Sequence, residues 1–498
     1  MNKTILVLLG VLGVLSLRAQ LVTPGTGIRW NRDSLVAQGA LIPGGGGTYY
    51  SLSTSVVISA GDTVEILTND SIVIIPGGLV TVNGVLNIAP SVKAVINCSA
   101  AGQKFLGFRF ENSQGSVWSR ATIRNCGGIK LVSSVVIFSE SIFRDFDKTY
   151  STGAIDLYQS SPLIQACHFL GNAGPAIASG ANAASSPQIR NCYIYHNNAS
   201  NANTPQINLG TMGSDSIRII GNTIIGNYDM GGGVAVSTLT GGQIMVRIDS
   251  NVITNNRYGI ACIGSNIGSV IRYNYLANND IQGLPMQGGS GINFYGGTTN
   301  TARVSHNEIT GNLWGITIQL NAQPNLGQIE PDTLNIGWNK IYGNGNGGIT
   351  YNLYNNTPGN IKAENNFWGS YIPDTVEAGI FHQPDDGTLG LVDYLPISPL
   401  TTGLEEVRKG SGEGLIQACY PNPAPGELTL RLDGLCPGGK QVAHAMVFGL
   451  DGRLMHSESL VMNQEELMLD LKRLPEGMYH LVVEACGRRE SRLISLLR

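Results

Sequence analysis

The sequence predicts an all-β chain: a right-handed parallel β-helix solenoid followed by a small antiparallel β-sandwich domain. Three observations predict it. A short motif recurs at uneven intervals through the middle of the chain. Glycine is frequent, with 65 copies, and asparagine is abundant, while hydrophobic content is an ordinary 42%. Beyond Ser398 the composition shifts, and short alternating runs separated by turn residues take over.

The motif is an aliphatic residue, two free positions, a small polar residue, then asparagine five later. It reads Ile164–Cys167–Asn172, Ile189–Cys192–Asn197, Ile219–Asn222–Asn227 and Ile248–Asn251–Asn256. It continues as Ile271–Asn274–Asn279, Val304–Asn307–Asn312 and Ile336–Asn339–Asn344. Weaker copies stand at Ile137–Glu140–Asp145 and at Ile361–Glu364. A fixed motif with variable spacing is the mark of a solenoid, because insertions go into loops while stacked positions hold register. The spacing suits a coil of three short strands. Ile248 and Ile253 are inward candidates, and Asn251 lies at the bend between them. Gly259-Ile260, Gly315-Ile316 and Gly348-Ile349 read as the start of the following strand, with the period-two alternation of strands after them.

Identical side chains one coil apart sit about 4.7–4.8 Å from each other, so stacked amides donate along the solenoid. Asn222, Asn251, Asn274, Asn307 and Asn339 are therefore expected to form a structural ladder, with Cys167 and Cys192 occupying the same station. Parallel Cβ vectors one strand apart suit a disulfide poorly, so these two are expected as free stacked thiols. Glycine and asparagine supply the left-handed backbone that frequent turns require.

The ends set the compartment. Lys3, an apolar stretch from Ile5 to Leu17 and a cut between Ala19 and Gln20 form a secretory signal over residues 1–19, too short for an ordinary span. Residues 20–49 read as an N-terminal segment and residues 50–398 as the solenoid with its caps. Residues 399–416 read as a polar linker and 417–498 as the sandwich. No later segment is apolar enough to cross a bilayer. Charged residues are 13% of the chain and the formal net charge is −4. No basic stripe is visible, which argues against nucleic acid as a partner. Eight cysteines are few for this length in an exported protein, and their pairing does not follow from sequence.

The repeat over residues 50–398 resembles the right-handed parallel β-helix proteins of the pectate-lyase-like superfamily, among them Asn-rich families that include periplasmic copper-binding maturation proteins. The C-terminal motifs resemble the type A sorting domain of the type IX secretion system. The residues that carry this are Tyr420-Pro421-Asn422-Pro423, Val447 to Arg453 with Asp451-Gly452-Arg453 as the turn, and Leu474 to Tyr479 with Gly477. The resemblance implies a bacterium of the Bacteroidetes type, recognition by the type IX machinery and passage through the periplasm across the outer membrane. Removal of the domain, with surface anchoring or release, is implied too. Cys419, Cys436 and Cys486 are not part of that pattern.

Catalytic sets of β-helix enzymes are not legible. There is no Asn-Thr-Asp, Gly-His-Gly or Arg-Ile-Lys set, and no Arg-x-Pro-x-x-Arg. Asp385-Asp386 reads as a turn in the cap. His168, His196 and His306 lack metal-ligand spacing, so neither a metal nor a cofactor is expected. Tyr258 and Trp314 sit seven after their stations, and Tyr228 and Tyr342 lie near that turn in other coils. Such rings stack on sugars or cover turns. The reading is a monomeric, secreted or surface-displayed adhesin or glycan-binding solenoid without catalysis. Its partner is an extracellular glycan or a host or matrix surface. The alternative is a polysaccharide lyase or glycoside hydrolase acting on an acidic extracellular polysaccharide, which would need carboxylates or basic residues from different coils to converge in one groove; two carboxylates about 5–10 Å apart in an aromatic-lined cleft would favour it.

Overall fold

The computed structural model describes residues 20–329, 335–398, 415–432, 442–449, 454–461, 466–485 and 488–497. Residues 1–19, the expected signal sequence ending at Ala19, lie outside the described residues, and Gln20 is the first described residue and is exposed. Nearly all of the linker, and the turn Asp451-Gly452-Arg453, also lie outside them.

Three sheets wind into one solenoid. Sheet A has 14 strands, from Leu21–Val22 to Ile380–Phe381. Sheet B has 12, from Arg29–Asn31 to Gln323–Asn325, and sheet C has 13, from Leu41–Pro43 to Lys340–Tyr342. Every pairing in them is parallel except the first of sheet C, where Leu41–Pro43 runs against Tyr49–Leu52. One coil shows the pattern: Val234–Ser237 in A, Ile244–Asp249 in B, Val252–Thr254 in C, then back to A at Ile260–Ile263. Register holds like residues in line, as in Ile219, Ile248, Ile271 and Val304. Ile248 and Ile253 are fully buried, as their spacing predicts. Toward the N-terminus the interior is filled by rings instead. Trp118 packs edge-on against Phe108 at 4.8 Å and Phe138 at 5.4 Å, and Phe143 stacks on Phe169 at 5.0 Å.

The bend from B to C is one left-handed residue followed by one buried polar residue. Ala166, Asn191, Gly221, Ser250, Tyr273, His306, Trp338 and Asn365 hold the left-handed position, each with φ between 50° and 68°. The next residue is the ladder rung. Asn222 Nδ2 donates to Asn251 Oδ1 at 2.9 Å, Asn251 to Asn274 at 2.9 Å, Asn274 to Asn307 at 2.9 Å, and Asn307 to Asn339 at 2.9 Å. Each Oδ1 also takes the backbone N–H of the preceding rung, as Asn251 Oδ1 does from Asn222 N at 2.9 Å. The end copies shift by one or two places. Ser141, not Glu140, aligns with Cys167, since Ile142 pairs with His168. Asn366, not Glu364, closes the row, accepting from Asn339 Nδ2 at 2.8 Å.

A second ladder fills the bend from C to A. Its rungs are Asn172, Asn197, Gln206, Asn256, Asn279, Asn312, Asn344 and Asn352. Asn227, the motif's asparagine for its coil, is exposed and takes no part. Gly226 in that coil does not adopt the left-handed turn that His196 and Asn255 adopt on either side, so the chain leaves the rung and Gln206 reaches in instead. Gly348-Ile349 is a second departure. Ile349–Thr350 pairs antiparallel with Gly345–Asn346 in a small hairpin, and Leu353 is the inward residue of that coil.

The solenoid begins within residues 20–49, since Leu21–Val22 and Arg29–Asn31 already pair in sheets A and B. A helix, Arg32–Ala37, covers the open end with Leu35, and Asn31 caps it by accepting from Ser34 N at 2.9 Å. Covering the end removes an unpaired sheet edge. At the other end a helix, Pro373–Glu377, and the turn after Phe381 close the coil. Asp385 accepts from His382 N at 3.0 Å and Asp386 from Thr388 N at 2.9 Å, which is the turn role expected of them. Beyond residue 415 the chain forms antiparallel sheets of three and four strands around their own core, including Leu430, Val447, Leu469 and Leu481. Asn422, between Pro421 and Pro423, ties into the last strand: it accepts from Ser495 N at 2.8 Å and donates to Leu493 O at 3.1 Å. Gly477 opens the adjacent strand, Gly477–Ala485.

Candidate functional site

The outward face of sheet A changes character along the axis. Its first coils carry charges. Arg109 holds Glu111, and Lys130 pairs in register with Asp156. Burial raises the Asp156 carboxyl above the ordinary range. The middle coils carry Ala178, Asn208, Ala235 and Ala261 in one column. The last coils carry Asn293, Thr317 and Tyr354 in the same column, with Tyr295 and Gln319 beside them.

Those last coils form the most developed site. Asn293 Oδ1 accepts from Thr317 Oγ1 at 2.9 Å and from Gln319 Nε2 at 3.3 Å. The Ser290 and Thr317 hydroxyls are 3.0 Å apart. Thr317 and Ser290 are buried, so their hydroxyls serve to fix the half-buried Asn293 and Gln319 amides on a rigid sheet, which is what orients a polar ligand. Rings border them. Trp314 lies 4.6 Å from Tyr351 and 5.0 Å from Tyr354, and Tyr354 stacks on Phe381 at 4.9 Å. Trp314 Nε1 donates to Pro285 O at 2.9 Å, which fixes the indole and ties down the loop before it. Burial, with Tyr351 and Asp386 nearby, raises the Tyr354 phenol, so it stays a donor at neutral pH.

The four rings singled out in the sequence are not brought together. Trp314 belongs to this cluster. Tyr258 covers its own turn: its ring lies over Gly232, where an added Cβ would strike it, and burial pushes its phenol up to about 12. Tyr342 is on sheet C, its hydroxyl on Glu308 at 2.6 Å and its ring near Phe367. Tyr228 sits in the loop after Asn227, half-buried. A constant offset along the chain does not fix a constant direction, because the loops between C and A differ in length from coil to coil. Tyr351 and Tyr354 were missed because their coil contains the hairpin that breaks the motif. The alternation Leu353, Tyr354, Asn355 in register with Ile316, Thr317, Ile318 was the available signal.

Cys98, Cys126, Cys167, Cys192 and Cys262 are free and buried, and Cys419 is free and half-buried. Cys436 and Cys486 lie outside the described residues. Burial, then contact with Cys192, drives the Cys167 thiol far above its ordinary range. His168 lies on sheet C against Tyr193, while His196 and His306 occupy left-handed turn positions. Among the described residues no three His, Cys, Asp or Glu side chains group as metal ligands. No described helix is long and apolar enough to cross a membrane.

One expectation fails. A basic stripe exists on the outer face of sheet B, where Arg190, Arg218, Arg247, Arg272 and Arg303 project from five consecutive strands. Residues some 25–30 apart along the chain become neighbours only when the coils stack, so inspection of the linear sequence does not reveal it.

Residues 68–207 and 133–313 match the model of the right handed beta helix region, and residues 418–494 match the secretion system C-terminal sorting domain. The chain is therefore a right-handed parallel β-helix protein. Its C-terminal domain is a type IX sorting domain, which marks it for export to the cell surface or beyond. No curated protein matches it. Among solved structures it is similar to a double mutant of the periplasmic alginate epimerase AlgG, at 12% identity and a TM-score of 0.44, covering 75% of this chain and 84% of that one. It is also similar to tailspike protein 3 of bacteriophage CBA120, at 10% identity and a TM-score of 0.33, covering 80% of this chain and 64% of that one.

Proposed function

We propose that the protein is a non-catalytic glycan-binding solenoid displayed outside the cell, and that the sheet A face around Trp314, Tyr354 and Asn293 holds the sugar. The observation that carries this is the composition of that face: the neutral amides of Asn293 and Gln319, fixed by the buried Thr317 hydroxyl, beside clustered rings. Aromatic faces take the apolar side of a sugar ring, and oriented amides take its hydroxyls. The carboxylates of sheet A's outer face support binding over hydrolysis, since Glu111 is held by Arg109 and Asp156 stands beside Lys130. A glycosidase instead sets two carboxyl groups across the scissile bond, about 5–10 Å apart.

The test is to expose the full chain to a panel of neutral and acidic polysaccharides, following retention and new reducing or unsaturated ends together. Retention of a neutral glycan without product, weakened at least tenfold by Trp314→Ala, is the expected result. Product from any glycan would instead assign a lyase or hydrolase.

A further inference from the structure

We propose a second binding site, on the outer face of sheet B, for a polyanionic polysaccharide chain laid along the solenoid axis. It does not depend on the sheet A reading. Across the strands Gln188–Arg190, Ile217–Ile220, Ile244–Asp249, Ile267–Arg272 and Asn300–Ser305, the charged side chains are five arginines and one acid, Asp249. Four positive charges are thus in excess on one face of a chain whose formal net charge is −4. Parallel strands stand about 4.8 Å apart, so the row spans roughly 19 Å.

The row is unevenly neutralised. Asp249 is buried and serves both Arg247 and Arg272. Arg218 and Arg303 are exposed and have no ion pair among the described residues. Arg190 donates to Gln188 Oε1 at 3.1 Å, while its Nε is buried with no acceptor. Arg218 stands directly opposite Arg247 in register. Like charges directly opposite destabilise a sheet, so the arrangement is a cost to folding that a bound anion would relieve. Arg190, Arg218 and Arg247 line one depression of about 640 Å³ on this face.

A second observation points to a sugar polymer rather than a small anion. The bend bordering the row carries Tyr273, His306 and Trp338 in three consecutive coils, all left-handed, with φ of 55°, 56° and 59°. The bend needs a left-handed residue in each of these coils, and here rings fill the position that Ala166, Asn191, Gly221 and Ser250 fill earlier. Tyr273 and His306 are 4.6 Å apart, and His306 and Trp338 5.5 Å. Tyr273 is 46% exposed and Trp338 42%. The Arg272 guanidinium lies 5.5 Å from the Tyr273 ring, so charge and ring faces meet along one edge. Carboxylate or sulfate groups would meet the arginines, and sugar rings the aromatic edge.

The experiment measures binding of the full chain to polygalacturonate, dextran sulfate, neutral dextran and duplex DNA at low and moderate salt. The expected result is binding to polygalacturonate or dextran sulfate and not to dextran, weakening at least about tenfold as salt screens the row. Preference between the two acidic polymers tells whether carboxylate or sulfate is taken. The pair Arg218→Gln with Arg303→Gln, neither of which strands an acid, should weaken binding at least tenfold with a melting temperature equal to or above the parent's. Trp314→Ala should leave it unchanged. Absence of binding to both acidic polymers, indifference to the double variant, or equally tight binding of DNA would each overturn the proposal.

Discussion

Gln206 and Asn256 are joined side chain to side chain, Nε2 to Oδ1 at 2.9 Å, although 50 residues separate them. Gln206 also accepts from Asn197 Nδ2 at 3.2 Å, so a longer amide spans the one coil in which the turn does not return its own asparagine. Gln206→Leu leaves both neighbours buried and unsatisfied, and each orphaned group costs about 1–3 kcal/mol. Unfolding in denaturant should show a loss of about 2–6 kcal/mol for the two groups together, whereas Asn227→Ala, at the exposed position, should stay within about 0.5 kcal/mol.

Equivalent turn positions should respond in opposite senses. Ala166 holds φ 50° with a Cβ, while Gly221 holds φ 68° without one. The left-handed conformation costs an L-residue about 1–2 kcal/mol, partly offset by the extra freedom of glycine in the unfolded chain. Ala166→Gly is expected to be neutral or stabilising by up to about 1 kcal/mol. Gly221→Ala should destabilise, because its Cβ would also run into Asn191 Oδ1. Thermal midpoints of the two variants check this.

Cys192 marks a rung that an amide would fit. Its backbone N–H already donates to Asn222 Oδ1 at 2.9 Å, and its Sγ points at Ile164 O, 3.5 Å away. Asn222 Nδ2 makes the matching bond to Ile189 O at 3.1 Å. Cys192→Asn should therefore extend the ladder by one rung and add about 0.5–1.5 kcal/mol, read from the shift in denaturation midpoint.

Acid should loosen the sheet B face through Asp249. Burial opposes its ionisation, yet hydrogen bonds from Arg272, Ser250 and Arg247 outweigh this and hold the carboxyl below its ordinary range. A depressed folded value contributes stability that is present above the unfolded pKa of about 3.9 and lost as pH falls through the folded value. Melting temperatures of Asp249→Asn should lie below those of the parent at pH 7. The gap should narrow as pH falls below about 4.

The fold was legible because its energetic unit is local. Ile248, Asn251 and Ile253 lie within six residues, and the coils from Glu140-Ser141 to Asn365-Asn366 repeat that bend, so one copy describes them. The candidate sites were not legible in the same way. Trp314 meets Tyr351 and Tyr354 only through stacking of sheet A, and Arg218 meets Arg247 only through stacking of sheet B. The second ladder was visible as recurring asparagines, yet Gln206 was not, since its rung is filled by a residue outside the motif.

Register across sheet B ties charge to length. Each added coil that kept the bend at Asn251 or Asn274 would lengthen the solenoid by one strand spacing and could add one guanidinium to the row. The reach of the molecule along a polymer is then set in whole-number steps by repeat duplication. Its grip per step is tuned separately, by single substitutions that leave the interior untouched.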